Sequence, residues 1–152
     1  MQIFNLKNRP EHINKIAKLL FDQWGHLRPG STLDSAINRV EMRYQGDGIP
    51  SIFVAEIDSE PAGTVSIVKH DMDIRKDLSP WIASLYVAEE FRHQKIGRKL
   101  ITFIESYAKE IGVKKTYLFT PDKQKMYSLL GWRHFENIGY QSKMVTIMAK
   151  NL

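Results

Sequence analysis

The chain has 152 residues, of which 43% are hydrophobic and 26% are charged; this length and balance predict one globular domain over residues 1–152 and exclude wholesale disorder. It contains no cysteine, which excludes a disulfide framework, a thiolate zinc site and a cysteine nucleophile, and favours a reducing compartment. The 22 basic and 17 acidic side chains give a net charge of +5, which suits a polyanionic partner, either a nucleic acid or a phosphorylated small molecule.

The N-terminal residues show no targeting signal. Met1 to Lys7 contain no basic leader followed by a long apolar stretch, so no signal peptide is predicted. No apolar run reaches the roughly 18 residues that a membrane span needs. We therefore expect a soluble, cytoplasmic protein.

Two helices are predicted first along the chain. Pro10 fits the first turn of the first helix, and Gly25 ends it. Ser31 or Thr32 fits the cap of the second helix. The apolar residues at helical spacing are Ile13, Ile16, Ala17, Leu20 and Trp24 in the first helix, and Leu33, Ala36, Ile37 and Val40 in the second.

Three strands follow the two helices. Residues 51–57 and 64–68 read as a hairpin joined by a turn over 58–63. A loop rich in charged residues then leads past Pro80 to a third run, Trp81 to Val87. This run is apolar on both faces except at Ser84, which predicts a strand buried at the centre of the sheet.

The remaining elements alternate between helix and strand. Helical spacing returns from Gln94 to Glu110. A strand is predicted over 116–120, a short helix over 122–130 between Pro121 and Gly131, and a last strand over 144–148. This order predicts an α/β domain with a mixed central sheet flanked by helices, antiparallel at first and then joined by helical crossovers.

The most informative segment is the turn between the third strand and the long helix. Backbone N–H groups at a helix N-terminus lack partners and favour an anion. Gly97 would allow a phosphate to approach the backbone closely. The segment is strongly basic, through Arg92, His93, Lys95, Arg98 and Lys99. Cations oppose the dipole at a helix N-terminus, by about 0.3–1 kcal/mol each, so the cluster favours an anion-binding turn over a solvated surface.

Two motifs resemble those of the GNAT acetyltransferases. Leu85-Tyr86-Val87 followed by Arg92-x-x-Lys95-x-Gly97 is similar to the acyl-coenzyme A signature of that family, Gln/Arg-x-x-Gly-x-Gly/Ala. Thr120-Pro121-Asp122 through Trp132 resembles its later motif, in which an aromatic-Tyr pair precedes a Leu-Gly-Phe/Trp ending. The closing segment Val145 to Lys150 resembles its last strand. The sequence departs from the pattern at Lys95, where the family most often has its first glycine. Lys95 gives the turn less conformational freedom, which disfavours one backbone N–H contact to the pyrophosphate. Alternatively, Lys95 adds a charge toward a phosphate.

The resemblance implies an N-acetyltransferase that uses acetyl-coenzyme A and an amine acceptor by direct transfer in a ternary complex. It implies that backbone atoms of Leu85 and Val87 bind the pantetheine arm and the thioester. It assigns the pyrophosphate to the backbone from Arg92 to Arg98, namely Arg92, His93, Gln94, Lys95, Ile96, Gly97 and Arg98. Tyr127 becomes the general acid for the departing sulfur, since a phenol can hydrogen-bond or protonate it; the alternative is a packed core aromatic.

The base that receives the amine proton stays open. The candidates are Glu56, Asp71, Asp73, His134 and Ser84 relaying to water, and a chain of waters is an equal alternative. The first two helices flank the acceptor site in this family, but Trp24 is expected in the core. Lys114-Lys115 and Lys123-x-Lys125 are expected to be solvated, or to line a channel for the 3′-phosphate of coenzyme A.

Other functional patterns are missing from the sequence. It has no His-Glu-x-x-His spacing and no Walker pattern, so we predict no metal site. It also has no Gly-x-Ser-x-Gly elbow. The alternative function is a basic domain that binds nucleic acid without catalysis; the charge supports it, but no nucleic-acid motif is present. The identity of the amine, and whether a homodimer forms, are left open.

Overall fold

The computed structural model describes residues 1–44 and 46–152, and within them a seven-stranded mixed sheet is flanked by helices. The strands are β1 Gln2–Asn5, β2 Ser51–Ile57, β3 Glu60–Val68, β4 Trp81–Val87, β5 Lys115–Thr120, β6 Arg133–Tyr140 and β7 Lys143–Asn151. The helices are α1 Ile13–Trp24, α2 Leu33–Tyr44, α3 Ile96–Glu110 and α4 Gln124–Leu129. The strand order is β1-β2-β3-β4-β5-β7-β6. Strands β4 and β5 run parallel, and the other neighbouring pairs are antiparallel. The predicted fold class is confirmed.

Two strands were not predicted, and both lie at sheet edges. The first, β1, is only four residues long. The other, β6, has no buried residue, and its sequence lacks the strict alternation of apolar and polar residues that marks a half-buried strand. The hairpin between β2 and β3 is also tighter than predicted, because Asp58 and Ser59 both adopt positive φ and close it in two residues.

The helices cover the two faces of the sheet separately. In β2, Phe53 and Ala55 pack in the cluster that contains the apolar side of α3, whereas Ile52 and Val54 pack against α1 and α2. Side chains of a strand alternate between faces, so α3 lies on one face and the α1–α2 pair on the other. Trp132 joins the α3 cluster. Among the described residues, no helix is long and apolar enough to cross a bilayer.

The two central strands separate along their length. Strands β4 and β5 are paired at Trp81 and Tyr117, and a hydrogen bond from the Tyr117 N–H to the Pro80 carbonyl (3.1 Å) lies next to that point. Beyond it they diverge, and the last four residues of β4 are half-buried although its first three are buried. We call the gap between residues 84–87 of β4 and residues 118–120 of β5 the wedge. Because the strands are parallel, α3 and α4 both begin at the open edge of the wedge.

Candidate active site

A β-bulge in β4 turns Ser84 toward the α1–α2 face. The register passes from Thr64 opposite Tyr86 to Ser66 opposite Ala83, and Ser84 has a φ of 54°. The bulge adds one residue, so Ser84 follows Ala83 onto the same face. There the Ser84 hydroxyl accepts a hydrogen bond of 2.6 Å from Arg43 Nη1 in α2.

The bulge leaves part of β4 available on the side of the wedge. Leu85 and Val87 pack their side chains against the α3 cluster, while their backbone edge facing β5 has no strand partner in the described chain. The Val87 carbonyl accepts a hydrogen bond of 3.2 Å from Arg92 Nε. The backbone groups of this edge that have no partner can bind a ligand in the manner of an added strand.

The segment from Arg92 to Arg98, here called the α3 turn, has two residues in the left-handed region. His93 has a φ of 66° and Lys95 a φ of 60°. For a non-glycine residue this conformation costs about 1–2 kcal/mol. Lys95 therefore adopts a backbone conformation that glycine would adopt without strain.

The first turn of α3 is uncapped. Lys95 precedes the helix without a side-chain cap, and its carbonyl accepts the hydrogen bond from the Lys99 N–H. The N–H groups of Ile96, Gly97 and Arg98 precede that first intrahelical bond and have no intrahelical partner. Ile96 buries its side chain, with 2% exposed, which fixes these N–H groups at the edge of the wedge.

Gly97 leaves space in front of this turn. A Cβ atom at position 97 would lie 3.8 Å from Val87 Cγ2, an ordinary van der Waals contact. Neither the backbone nor the packing of the described residues requires glycine here. The space that a side chain would fill therefore fits a bound group, and the N–H groups favour an anion.

The basic side chains around the turn divide into two groups. Arg92 is held against β4, since Nη2 donates a hydrogen bond of 3.2 Å to the Tyr86 hydroxyl and the guanidinium lies 5.5 Å from the Tyr86 ring centroid. The others are solvent-exposed around the helix start, namely His93, Lys95, Arg98 and Lys99. Gln94 is exposed as well.

Tyr127 lies in α4, at the same end of the parallel strands as the α3 turn. Its ring is 8% exposed and packs edge-on against Trp132, with centroids 6.2 Å apart. Its hydroxyl makes no hydrogen bond to the described residues, and it is not among their fully enclosed polar atoms that lack a partner, so it keeps access to solvent. Burial, and then the negative charge of Asp122, raise the pKa of Tyr127 to about 12.

The segment after α4 is fixed by a half-buried polar group. Glu105 accepts hydrogen bonds of 2.8 Å from both Trp132 Nε1 and Lys150 Nζ. Lys150 Nζ also donates to the Leu130 carbonyl at 2.7 Å. These bonds join α3, β7 and the end of α4, and they hold α4 in place. The sequence analysis did not identify Glu105 or Lys150 as contributors.

A cavity of about 80 Å³ lies on the opposite face, between α1 and α2. We call it the arginine cavity; it is lined by Leu20, Phe21, Trp24, Gly25, Arg28, Ala36, Arg39, Val40, Arg43 and Ser84. Trp24 contacts Tyr86 of β4 edge-on, with ring centroids 5.8 Å apart. The expectation that Trp24 belongs to the core is wrong: it is half-buried and lines this cavity.

Comparison with known proteins decides the family. Residues 13–132 match the model of the Acetyltransferase (GNAT) family. This chain belongs to that family. The family predicted from the two motifs is confirmed.

Individual relatives agree with this assignment. An uncharacterized N-acetyltransferase of Chlorobaculum tepidum is 27% identical over 123 residues, which cover 72% of this chain and 76% of the relative. Among solved structures, an aminoglycoside 6′-N-acetyltransferase in complex with coenzyme A has a TM-score of 0.80 at 18% identity, covering 99% of this chain and 97% of the other. A ribosomal-protein-alanine N-acetyltransferase of Brucella melitensis has a TM-score of 0.80 at 17% identity, covering both chains fully. At these identities the solved structures show a shared fold.

The five candidate bases of this acetyltransferase lie in different places. The Glu56 carboxylate accepts hydrogen bonds from His12 (2.8 Å) and Arg9 (3.2 Å), and the bond from His12 contributes most to lowering its pKa. His134 is exposed on the edge strand β6 and contacts Asn137. Both are engaged with other residues.

Asp71 and Ser84 are the candidates near the arginine cavity. Ser84 lines it. Asp71 is half-buried, and burial raises its pKa, although the charges of Arg43 and Arg28 oppose that shift. Those two arginines line the cavity. Asp73 is exposed in the same loop.

The two lysine pairs lie at opposite ends of the parallel strands in this GNAT fold. Lys114 and Lys115 are at the amino end of β5, away from the α3 turn, which disfavours the alternative that they line a channel for the 3′-phosphate. Lys123 and Lys125 lie at the start of α4, on the edge where the wedge opens.

Proposed function

We propose that the protein transfers the acetyl group of acetyl-coenzyme A to a primary amine, directly, in a complex that holds both substrates. The wedge carries the proposal, because it brings together an uncapped helix start, a free strand edge and a phenol without a partner. It also adjoins, through Ser84, a second cavity on the other face of the sheet. A two-substrate transfer needs access for both substrates to one point.

The residues of the α3 turn fit the pyrophosphate of coenzyme A. The N–H groups of Ile96, Gly97 and Arg98 supply unpaired donors, and the space in front of Gly97 admits the phosphates. The exposed side chains of His93, Lys95 and Arg98 add positive charge around them. Arg92 and Gln94 contribute their backbone, with the Arg92 side chain held on Tyr86. The backbone of Leu85 and Val87 binds the pantetheine arm along the open edge of β4.

When bound, acetyl-coenzyme A supplies an acetyl group activated as a thioester. The acceptor nitrogen forms a bond to the acetyl carbon as the carbon–sulfur bond breaks. Tyr127 donates its phenolic proton to the sulfur, and the nitrogen releases a proton that restores the phenol through solvent. A pKa of about 12 keeps Tyr127 protonated throughout the neutral range, so it acts as a donor and not as a base. No acyl-enzyme on cysteine can form, since the chain has none.

Thermal unfolding in the presence of coenzyme A tests the first half of the proposal. Coenzyme A at 100 times its dissociation constant should add about 2.7 kcal/mol to the free energy of unfolding, and an oligonucleotide in the same assay should add nothing. Release of free thiol from acetyl-coenzyme A on addition of an amine, with the acetylated amine identified by mass, tests the second half. A protein that binds the oligonucleotide but not coenzyme A would overturn the proposal.

A further inference from the structure

Three arginines converge on the arginine cavity. Arg28 follows α1, and Arg39 and Arg43 lie one turn apart on α2; all three line the cavity. Burial is the largest cause that lowers the pKa of Arg39 and of Arg43. The positive charge of Arg28 lowers both further, and Arg39 also lowers that of Arg43. The guanidinium groups are therefore close enough to repel one another. Such a cluster is unfavourable unless an anion balances it.

The protein supplies little of that balance. Among the described residues, no carboxylate lies within 4.0 Å of any of the three guanidinium groups. Arg39 donates hydrogen bonds to the hydroxyls of Ser31 (3.1 Å) and Ser35 (3.4 Å). Within the described chain, Arg43 donates to Ser84. The charge of Asp71 acts on Arg43 from farther away.

The remaining donors of these arginines are suited to an oxyanion. A guanidinium has five N–H donors in a planar fork, which matches the two oxygens of a carboxylate. Hydroxyl partners occupy some of these donors and do not neutralise the charge. Removal from bulk water strengthens the remaining interaction with an anion. A cavity of about 80 Å³ has room for a carboxylate with a short carbon chain.

The cavity also lies next to the reacting position. Ser84, turned to this face by the bulge, contacts Arg43 at 2.6 Å and is followed by Leu85, whose free backbone edge faces the wedge. An acceptor held by its carboxylate on Arg43 and Arg39 would therefore extend its amine toward β4. Trp24 and Tyr86 form an aromatic wall beside this path.

We propose that the amine acceptor is a small molecule that carries a carboxylate, and that Arg43 and Arg39 bind that carboxylate. This assignment of substrate class rests on the proposed acetyl transfer. It separates the protein from the aminoglycoside 6′-N-acetyltransferases that share its fold. An aminoglycoside carries several ammonium groups, and the three arginines would repel them.

Matched pairs of amines test the assignment. Each pair consists of an ω-amino acid and its carboxamide with the same carbon chain, from two to six carbons, together with an aminoglycoside as a polycation. We expect kcat/KM for at least one amino acid to exceed that of its carboxamide by about tenfold or more, the effect of losing one charge-assisted contact. We expect no turnover of the aminoglycoside. Equal use of both members of every pair, or preference for the aminoglycoside, would overturn the assignment.

Two arginine variants test whether Arg43 and Arg39 bind the carboxylate of the acceptor. Arg43→Gln and Arg39→Gln should each raise KM for the amino acid by about tenfold or more, with a small change for the carboxamide and for coenzyme A affinity. Arg133→Gln, on the exposed strand β6, is the matched control and should leave both constants unchanged. Unchanged selectivity in both cavity variants would contradict the proposal, and intact coenzyme A binding shows that each variant is folded.

A binding measurement separates this proposal from the one on which it rests. The preferred amino acid should raise the unfolding temperature of the protein saturated with coenzyme A, and its carboxamide should not, with or without turnover. Failure to bind coenzyme A would overturn the proposed function. Coenzyme A binding with no preference for the carboxylate in either assay would overturn the acceptor assignment alone.

Discussion

The α3 turn and the arginine cavity lie on either side of one bulged strand, and they are built differently. The turn offers backbone N–H groups in front of a glycine, while its charged side chains are exposed around the opening. The cavity offers side chains, and Arg28, Arg39 and Arg43 are among those that line it. The turn suits a chemical group that is the same in every ligand, because it offers backbone atoms. The cavity suits a chemical group that differs from one ligand to another, because it offers side chains.

The difference has a physical basis. Backbone groups bind in the same way whatever the side chains are, so a glycine and a helix start preserve a diphosphate site through much sequence change. Side chains on helix surfaces alter charge and shape with single substitutions. The two regions should therefore respond to separate mutations, one in coenzyme A affinity or turnover and the other in acceptor KM.

The largest effect is expected at Tyr127, which lies at the same end of the parallel strands as the α3 turn. Tyr127→Phe removes the phenolic oxygen and keeps most of the packing volume, so kcat should fall by about 10²–10⁴-fold with little change in coenzyme A affinity. Since the pKa of Tyr127 is raised to about 12, ionisation of this phenol should not reduce the wild-type rate until the pH approaches that value. Steady-state kinetics against pH for both forms measure this.

Tyr117→Phe is the control for that change, because Tyr117 packs on the opposite face of the sheet among Trp81 and Phe119. It should leave kcat within a fewfold of wild type. A Tyr127→Phe variant with the same small effect would make Tyr127 a core aromatic beside Trp132 and leave the departing sulfur without its acid.

Gly97→Val should block the α3 turn without unfolding the protein. The new Cβ meets Val87 Cγ2 at 3.8 Å, so the fold tolerates it, but the side chain occupies the space in front of the N–H groups. Coenzyme A should bind about tenfold more weakly or worse, which corresponds to about 1.4 kcal/mol or more. Gly139→Val, where a Cβ meets no atom within 4 Å, is the control. Equal calorimetric affinities in the two variants would remove the pyrophosphate from this turn.

Asp71→Asn should act on the arginine cavity alone. It removes a negative charge that opposes the arginines, so the acceptor should bind severalfold more tightly with kcat unchanged. Burial raises the pKa of Asp71, so its contribution to stability is present below the pKa of the unfolded chain and is lost as pH rises. Asn should therefore increase stability more at pH 7 than at pH 4, measured by urea unfolding. A fall in kcat would instead identify Asp71 as the base.

The smallest change is expected for Lys95→Gly. Glycine adopts the left-handed conformation of residue 95 without strain, so the turn keeps its shape and coenzyme A affinity should change little at low salt. The affinity should, however, become less sensitive to salt, because one exposed charge is lost. Lys109→Gln, at the far end of α3, should not alter the salt dependence. Identical salt dependence in Lys95→Gly would place the Lys95 charge in solvent.

Much of the α3 turn and its surroundings could be predicted from the sequence because the elements there are local. Pattern and spacing located β4, α3 and α4, and the order of strands and helices identified the fold. The edge strands β1 and β6 were missed since an edge strand need not alternate apolar and polar residues. The predicted start of α3 at Gln94 was two residues early, because Lys95 adopts a left-handed conformation and the helix begins at Ile96.

The sequence by itself determined the fold class, the family and the segment around Gly97 that forms the start of α3, because each is encoded in consecutive residues with a fixed period or motif. The tertiary structure alone decided where the arginine cavity lies. The bulge at Ser84 depends on the register with β3, and the three arginines meet only when α1 and α2 pack on the same face. Arg28 and Arg43 are fifteen positions apart in a sequence with no motif between them. Their charges act on each other only after the chain has folded.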